Sequence, residues 1–195
     1  MARVDHKKIR QLINQQKKTI RDRQFFSSCI LAGHFSDIAA AQTRRYGHTR
    51  KVKVRTVWEP KTGSLAHARN EQIWINAGHP FVTQKKTRLE RYDMVCGLFA
   101  HELGHVLYTD FLAKQNYTNY FDSSRWYPEP PVLRSRDERM AEADIWDYCK
   151  AAPGHREAFL TLAHELNNIL EDGYVDTKMR NRYPGLLGHN LSFTR

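Results

Sequence analysis

Apolar positions recur along this 195-residue chain with two periods, one helical and one extended. Residues 3 to about 28 lack Gly and Pro and set Val4, Ile9, Leu12, Ile13, Ile20 and Phe25 among many cations, which predicts a basic helix over residues 1–28. Phe25 to Ala41 predicts a second helix, with a break near Gly33. Lys51-Val52-Lys53-Val54-Arg55-Thr56-Val57-Trp58 then alternates polar and apolar, the period of a half-buried strand. Pro60-Lys61-Thr62-Gly63 is turn chemistry, and a second strand, Gln72-Ile73-Trp74-Ile75-Asn76, stops before Gly78 and Pro80. These two strands are expected to pair, as a hairpin or through a longer loop.

Beyond them the helical period returns. From Thr87 to Phe111 there is no Pro, and Phe99, Leu103 and Val106 repeat at i, i+4 and i+7, so a long amphipathic helix is predicted to open at Lys85-Lys86-Thr87. Asn116 to Arg134, rich in Tyr, Asn, Ser and Pro, predicts a long loop of the kind that covers a cleft. A helix resumes from Arg136 to Tyr148 and breaks at Pro153-Gly154; another runs from about His155 to Asp176 or beyond, ended by Tyr183-Pro184-Gly185. The expectation is an α+β fold, mainly helical with a small sheet, forming a single domain over residues 1–195.

Composition narrows the setting. Hydrophobic residues make up 41% of the chain, enough for a real core. Cys29, Cys96 and Cys149 are odd in number and form no C-x-x-C pair, which argues against a disulfide framework or a cysteine zinc site and favours a reducing, cytoplasmic setting. No run approaches 18 apolar residues and the N-terminus has no apolar signal region, so no membrane partner is expected. The net charge of +10 favours acidic partners, and Arg3, Lys7, Lys8, Arg10, Lys17, Lys18, Arg21 and Arg23 on the N-terminal helix suit contact with nucleic acid. A solvated face is the competing reading there, because Gln and Asp are interspersed.

Candidate chemistry centres on His101-Glu102-Leu103-Gly104-His105. On a helix the i, i+4 spacing puts both imidazoles on one face, where they can grip one divalent ion, and Glu102 falls on the flank, within reach of an acidified water. Gly104 suggests close packing beneath that face. A catalytic zinc site commonly takes three protein ligands, and Glu142, Asp144, Glu165, Glu171, Asp172 and His164 are the downstream candidates. Asn167 to Asp176 is the densest polar cluster in an otherwise apolar-periodic helix, and carboxylates among Ile169, Leu170 and Val175 are costly unless paired or bound to a cation. Glu171 is therefore the first choice for third ligand and Asp172 the second. Asp172 and Asp176 are also suited to hydrogen-bond the outer ring nitrogens of the histidines.

The stretches HELGHVLYTDF (101–111) and NNILEDGYVD (167–176) resemble the zincin metallopeptidases, on the gluzincin side where a Glu is third ligand. More narrowly they are similar to metallopeptidase-like domains of bacterial and phage proteins that often precede a von Willebrand A domain, and AHARNEQIWINAGHP (66–80) is similar to the strand before their active-site helix. The resemblance covers about residues 50 to 185. It implies a small twisted sheet over the active-site helix, one Zn2+ held by His101, His105 and Glu171, and Glu102 as general base in hydrolysis of peptide bonds. No von Willebrand A domain follows within these residues, which leaves room for a separate regulatory or partner-binding half. Tyr174, Tyr183 and His189 are the nearest candidates to assist an oxyanion, and Gln72 to Asn76 is expected to dock substrate as an added strand. The rival reading is a metal-stabilised zincin scaffold that binds nucleic acid or protein without proteolysis.

Overall fold

A computed structural model of the chain describes residues 20–45, 47, 51–69 and 71–194. Most of the basic helix expected over residues 1–28 lies outside them. The described elements are α1 (Asp22–Phe26), α2 (Cys29–Arg45), β1 (Lys53–Val57), β2 (Ala66–Arg69), β3 (Gln72–Asn76), α3 (Pro80–Thr83), α4 (Arg88–Tyr108), α5 (Phe111–Asp122), α6 (Arg136–Ala151), α7 (His155–Arg182) and α8 (Leu186–Asn190), followed by a 3-10 turn at Leu191–Thr194. The fold is α+β, mostly helical with one three-stranded sheet. Among the described residues no helix is long and apolar enough to cross a membrane. The described residues fall into two compact units, one comprising those up to Thr109 and from Tyr174 onward, the other Asp110–Gly173.

In the first unit α4 is the central element. Thr87 caps it: the Thr87 hydroxyl accepts from Glu90 N at 3.1 Å and the Glu90 carboxylate accepts from Thr87 N at 2.8 Å, a reciprocal capping box. Tyr92, Met94, Val95, Phe99, Ala100 and Leu103 are all buried, so the helix is covered around most of its circumference rather than along one stripe. Phe35 of α2 stacks on Phe99 at 4.6 Å between centroids. Gly97 lets α8 approach closely, since a Cβ there would stand 2.3 Å from the backbone oxygen of Asn190.

Two expectations change here. Helix α2 runs unbroken through Gly33, and the chain breaks instead at Ser27-Ser28, where the Ser28 hydroxyl donates to Phe25 O at 2.7 Å and accepts from Leu31 N at 3.3 Å. An isolated Gly in a helix costs only about 1 kcal/mol relative to Ala, whereas a serine can hydrogen-bond the backbone and restart a helix. The strands of residues 51–58 and 72–76 do pair, but in parallel, Val54 opposite Ile73 and Thr56 opposite Ile75. The antiparallel partner of β3 is β2, too short and polar to read as a strand, and the sheet order is β1-β3-β2.

At the end of β3, Asn76 is fully buried and gathers the 59–64 turn: its amide nitrogen donates to Glu59 O at 2.7 Å and Thr62 Oγ1 at 2.8 Å, and its amide oxygen accepts from Glu59 N at 2.9 Å and Gly78 N at 3.0 Å. Four satisfied bonds on a buried side chain hold the turn in one geometry.

The second unit is built on rings. Phe121, fully buried, stacks with Trp146 at 4.9 Å and Phe159 at 5.0 Å, and Trp126 meets it edge-on at 5.8 Å. Arg156 donates to the carbonyls of Phe121 and Asp122, closing the C-terminal end of α5. The loop expected over Asn116 to Arg134 is thus helical to Asp122 and irregular only beyond it. Its Tyr and Asn content hid a Tyr117–Phe121 pair at i, i+4, stacked at 6.1 Å.

Candidate metal centre

His101 and His105 lie on one face of α4, half-buried, their rings edge to face at 4.7 Å. Their Nε2 atoms are 3.2 Å apart. Each Nδ1 has its own partner: His101 Nδ1 stands 2.8 Å from Oδ1 of Asp176 in α7, and His105 Nδ1 stands 3.0 Å from the Thr109 hydroxyl just past the end of α4. A carboxylate only accepts, so His101 donates through Nδ1–H and its Nε2 presents a lone pair. The Thr109 hydroxyl can donate or accept. His105 can therefore hand a proton to His101 across the 3.2 Å gap, or keep its proton on Nδ1 and turn a second lone pair toward the same point.

That geometry passes a test of fit for a metal. Two nitrogens about 2.0–2.1 Å from a tetrahedral ion stand about 3.3 Å from one another. The observed 3.2 Å separation matches this, and the outer nitrogens are held as ligand histidines usually are.

Packing beneath the histidines fixes α7 against α4. A Cβ on Gly104 would meet Val175 Cγ1 at 2.4 Å and Met179 Cγ at 2.9 Å, so only glycine admits the helix at this distance. Val175, Asp176 and Met179 are all buried and define the face of α7 turned to α4. At about 100° per residue, Asp172 falls within the arc those three residues span, whereas Glu171 points about 90° from its centre. Glu171 forms an ion pair with Lys114 inside the second unit. Asp172 is half-buried.

The burial premise that singled out this cluster does not hold as stated. Ile169 and Leu170 are 68% and 75% exposed, so the flanking apolar residues on that turn are not core, and only Val175 is buried. Glu102, by contrast, is buried in the middle of α4 beside His101.

Other candidates are engaged elsewhere. Glu142 accepts from the indoles of Trp126 at 2.7 Å and Trp146 at 3.4 Å, and His164 Nε2 is 3.2 Å from the Thr118 hydroxyl, both in the second unit. Tyr183 donates to Gln42 at 3.0 Å, His189 packs edge-on against Phe193, and Tyr174 is half-exposed beneath Lys178. Strand β3 cannot take an added strand, because β1 and β2 occupy both its edges. The outer side of β1 meets α2, where the Ser36 hydroxyl accepts from Val54 N at 2.9 Å, so β2 is the edge left for such docking. No family model, characterised protein or solved structure matches this chain.

Proposed function

We propose that this protein is a zinc-dependent metallopeptidase whose metal ligands are His101, His105 and Asp172, with Glu171 the alternative third ligand, and whose general base is Glu102. The observation that carries the reading is the pair of facing Nε2 atoms 3.2 Å apart, with the His101 ring held by Asp176. Bound there, a divalent ion would acidify water and polarise a peptide carbonyl. Asp176 fixes the His101 tautomer and raises the basicity of its Nε2. The Thr109 hydroxyl can accept from His105 Nδ1–H and so orient that ring, but being donor and acceptor alike it does not by itself fix the tautomer. Glu102 accepts the proton given up by the attacking water at its carboxylate and delivers it to the leaving amine, a general acid–base contribution of about 10²–10⁴-fold. Asp172 is favoured over Glu171 by helix phase and by the lysine that already neutralises Glu171.

The test is elemental analysis of the purified intact chain together with cleavage of casein. Wild type is expected to hold one zinc and to cleave. His101→Ala and Asp172→Ala should lose the metal, and Glu102→Gln should keep it while losing cleavage. Zinc absent from wild type, or cleavage that survives in Glu102→Gln, would refute the proposal.

A further inference from the structure

The sheet buries one face and opens the other. Val54, Thr56, Ile73 and Ile75 point inward, while Lys53, Arg55, His67, Arg69 and Gln72 are exposed and Trp74 is half-buried. Register aligns the outward residues in two rows across the three strands. Arg55, Trp74 and His67 stand side by side in one row, and Lys53, Gln72 and Arg69 in the next, about 6.8 Å along the strands. Together they line a concavity of about 320 Å³, and no acidic residue lines it among the described residues. The rings of Trp74 and His67 are stacked, 5.1 Å between centroids with 20° between planes, so the indole is held in a fixed orientation.

We infer that this face binds single-stranded nucleic acid, independently of the metal reading. An oriented indole offers a stacking platform that every base can use, and three flanking cations offer phosphate contacts on either side of it. The Gln72 amide lies in the same cavity with a donor and an acceptor for a base edge. Duplex is disfavoured, because its base faces are covered by their neighbours and cannot reach an aromatic on a sheet surface. An acidic peptide would satisfy the cations but would leave the stacked rings without a role.

The test titrates a fluorescein-labelled oligothymidylate of about 12 nucleotides into the intact chain by anisotropy, between about 50 and about 200 mM salt. Duplex of equal length and polyglutamate serve as competitors. Trp74→Ala should weaken binding by roughly tenfold or more, with little change in salt dependence, while Trp74→Phe keeps a stacking ring and most of the affinity. Replacing Lys53, Arg55 and Arg69 together by Ala should lower the slope of log K against log salt by about 2, at roughly 0.7 per phosphate contact. Far-UV circular dichroism checks that each variant is folded, and Trp74→Leu, which keeps an apolar side chain but has no ring, stands in for Trp74→Ala if that variant is not. Equal binding by wild type and the triple variant, equal loss in Trp74→Phe and Trp74→Ala, or competition by polyglutamate as effective as that by the oligonucleotide would overturn the inference.

Discussion

Gly104→Ala is the sharpest probe of how the candidate metal centre is held together. The new methyl would stand 2.4 Å from Val175 Cγ1 and 2.9 Å from Met179 Cγ, well inside the usual carbon–carbon contact of about 3.5–4.0 Å. Met179 is unbranched and can yield, but Val175 is β-branched, buried and stiff at χ1, so the helices must part. Overpacking of this kind costs about 1–3 kcal/mol, and two contacts below 3.0 Å place it near the upper end. Alanine returns about 1 kcal/mol of helix propensity. The net expectation is a loss of about 2 kcal/mol, or roughly 4–8 °C in Tm for a chain of this length, measured by urea and thermal denaturation. Adding Val175→Ala removes the obstructing methyl, so the double-mutant cycle should show a coupling of about 1–2 kcal/mol in the relieving direction. Because parting α4 from α7 stretches the 2.8 Å His101–Asp176 bond, zinc affinity should fall in the single variant and recover in the double. A Gly104→Ala protein as stable as wild type, or a cycle additive within about 0.5 kcal/mol, would refute the close-packing argument.

Two further outcomes are expected. Asp176→Asn keeps the shape of the His101 partner but removes its charge, and should weaken zinc binding about 10- to 100-fold in competition with a chromophoric chelator, with little change in the circular dichroism spectrum. At the start of α6 the Ser135 and Arg134 amides donate to the Glu138 carboxylate and hold its pKa below the usual range, so the capping contribution is full above about pH 4.3 and is lost as pH falls through the depressed folded value. Protection factors of the amides in the first turn of α6, that is exchange relative to the intrinsic rate at each pH, should therefore fall as pH drops below about 4.3, and Glu138→Gln should flatten that dependence.

What could be read from sequence was local. The Pro-free, apolar-periodic run from Thr87 to Phe111 marks α4, which the structure bounds at Arg88 and Tyr108, and helical pitch alone brings His101 and His105 to one face. Strand order was not legible, because nothing in Ala66-His67-Ala68-Arg69 carries the hydrophobic signal of a strand and its pairing with β3 is a tertiary outcome. The same is true of α5, whose Tyr- and Asn-rich sequence gains its helix from burying Phe121 among Trp146, Phe159 and Trp126. At the site, sequence offered a cluster of carboxylates without a phase. Only the contact of Val175 and Met179 with Gly104 shows which side of α7 faces the histidines, and hence why Asp176 rather than a neighbour meets His101.

The four bonds gathered by Asn76 also bear on how the molecule ages. An asparagine decays when the next residue's nitrogen attacks the side-chain carbonyl carbon, and the resulting aspartate could no longer donate to Glu59 O or Thr62 Oγ1. In the native sheet that nitrogen belongs to Ala77 and is already committed to Val57 O at 2.9 Å. The folded state thus shields this side chain from its neighbour, and chemical damage there should track the time each molecule spends unfolded rather than the time since it was made.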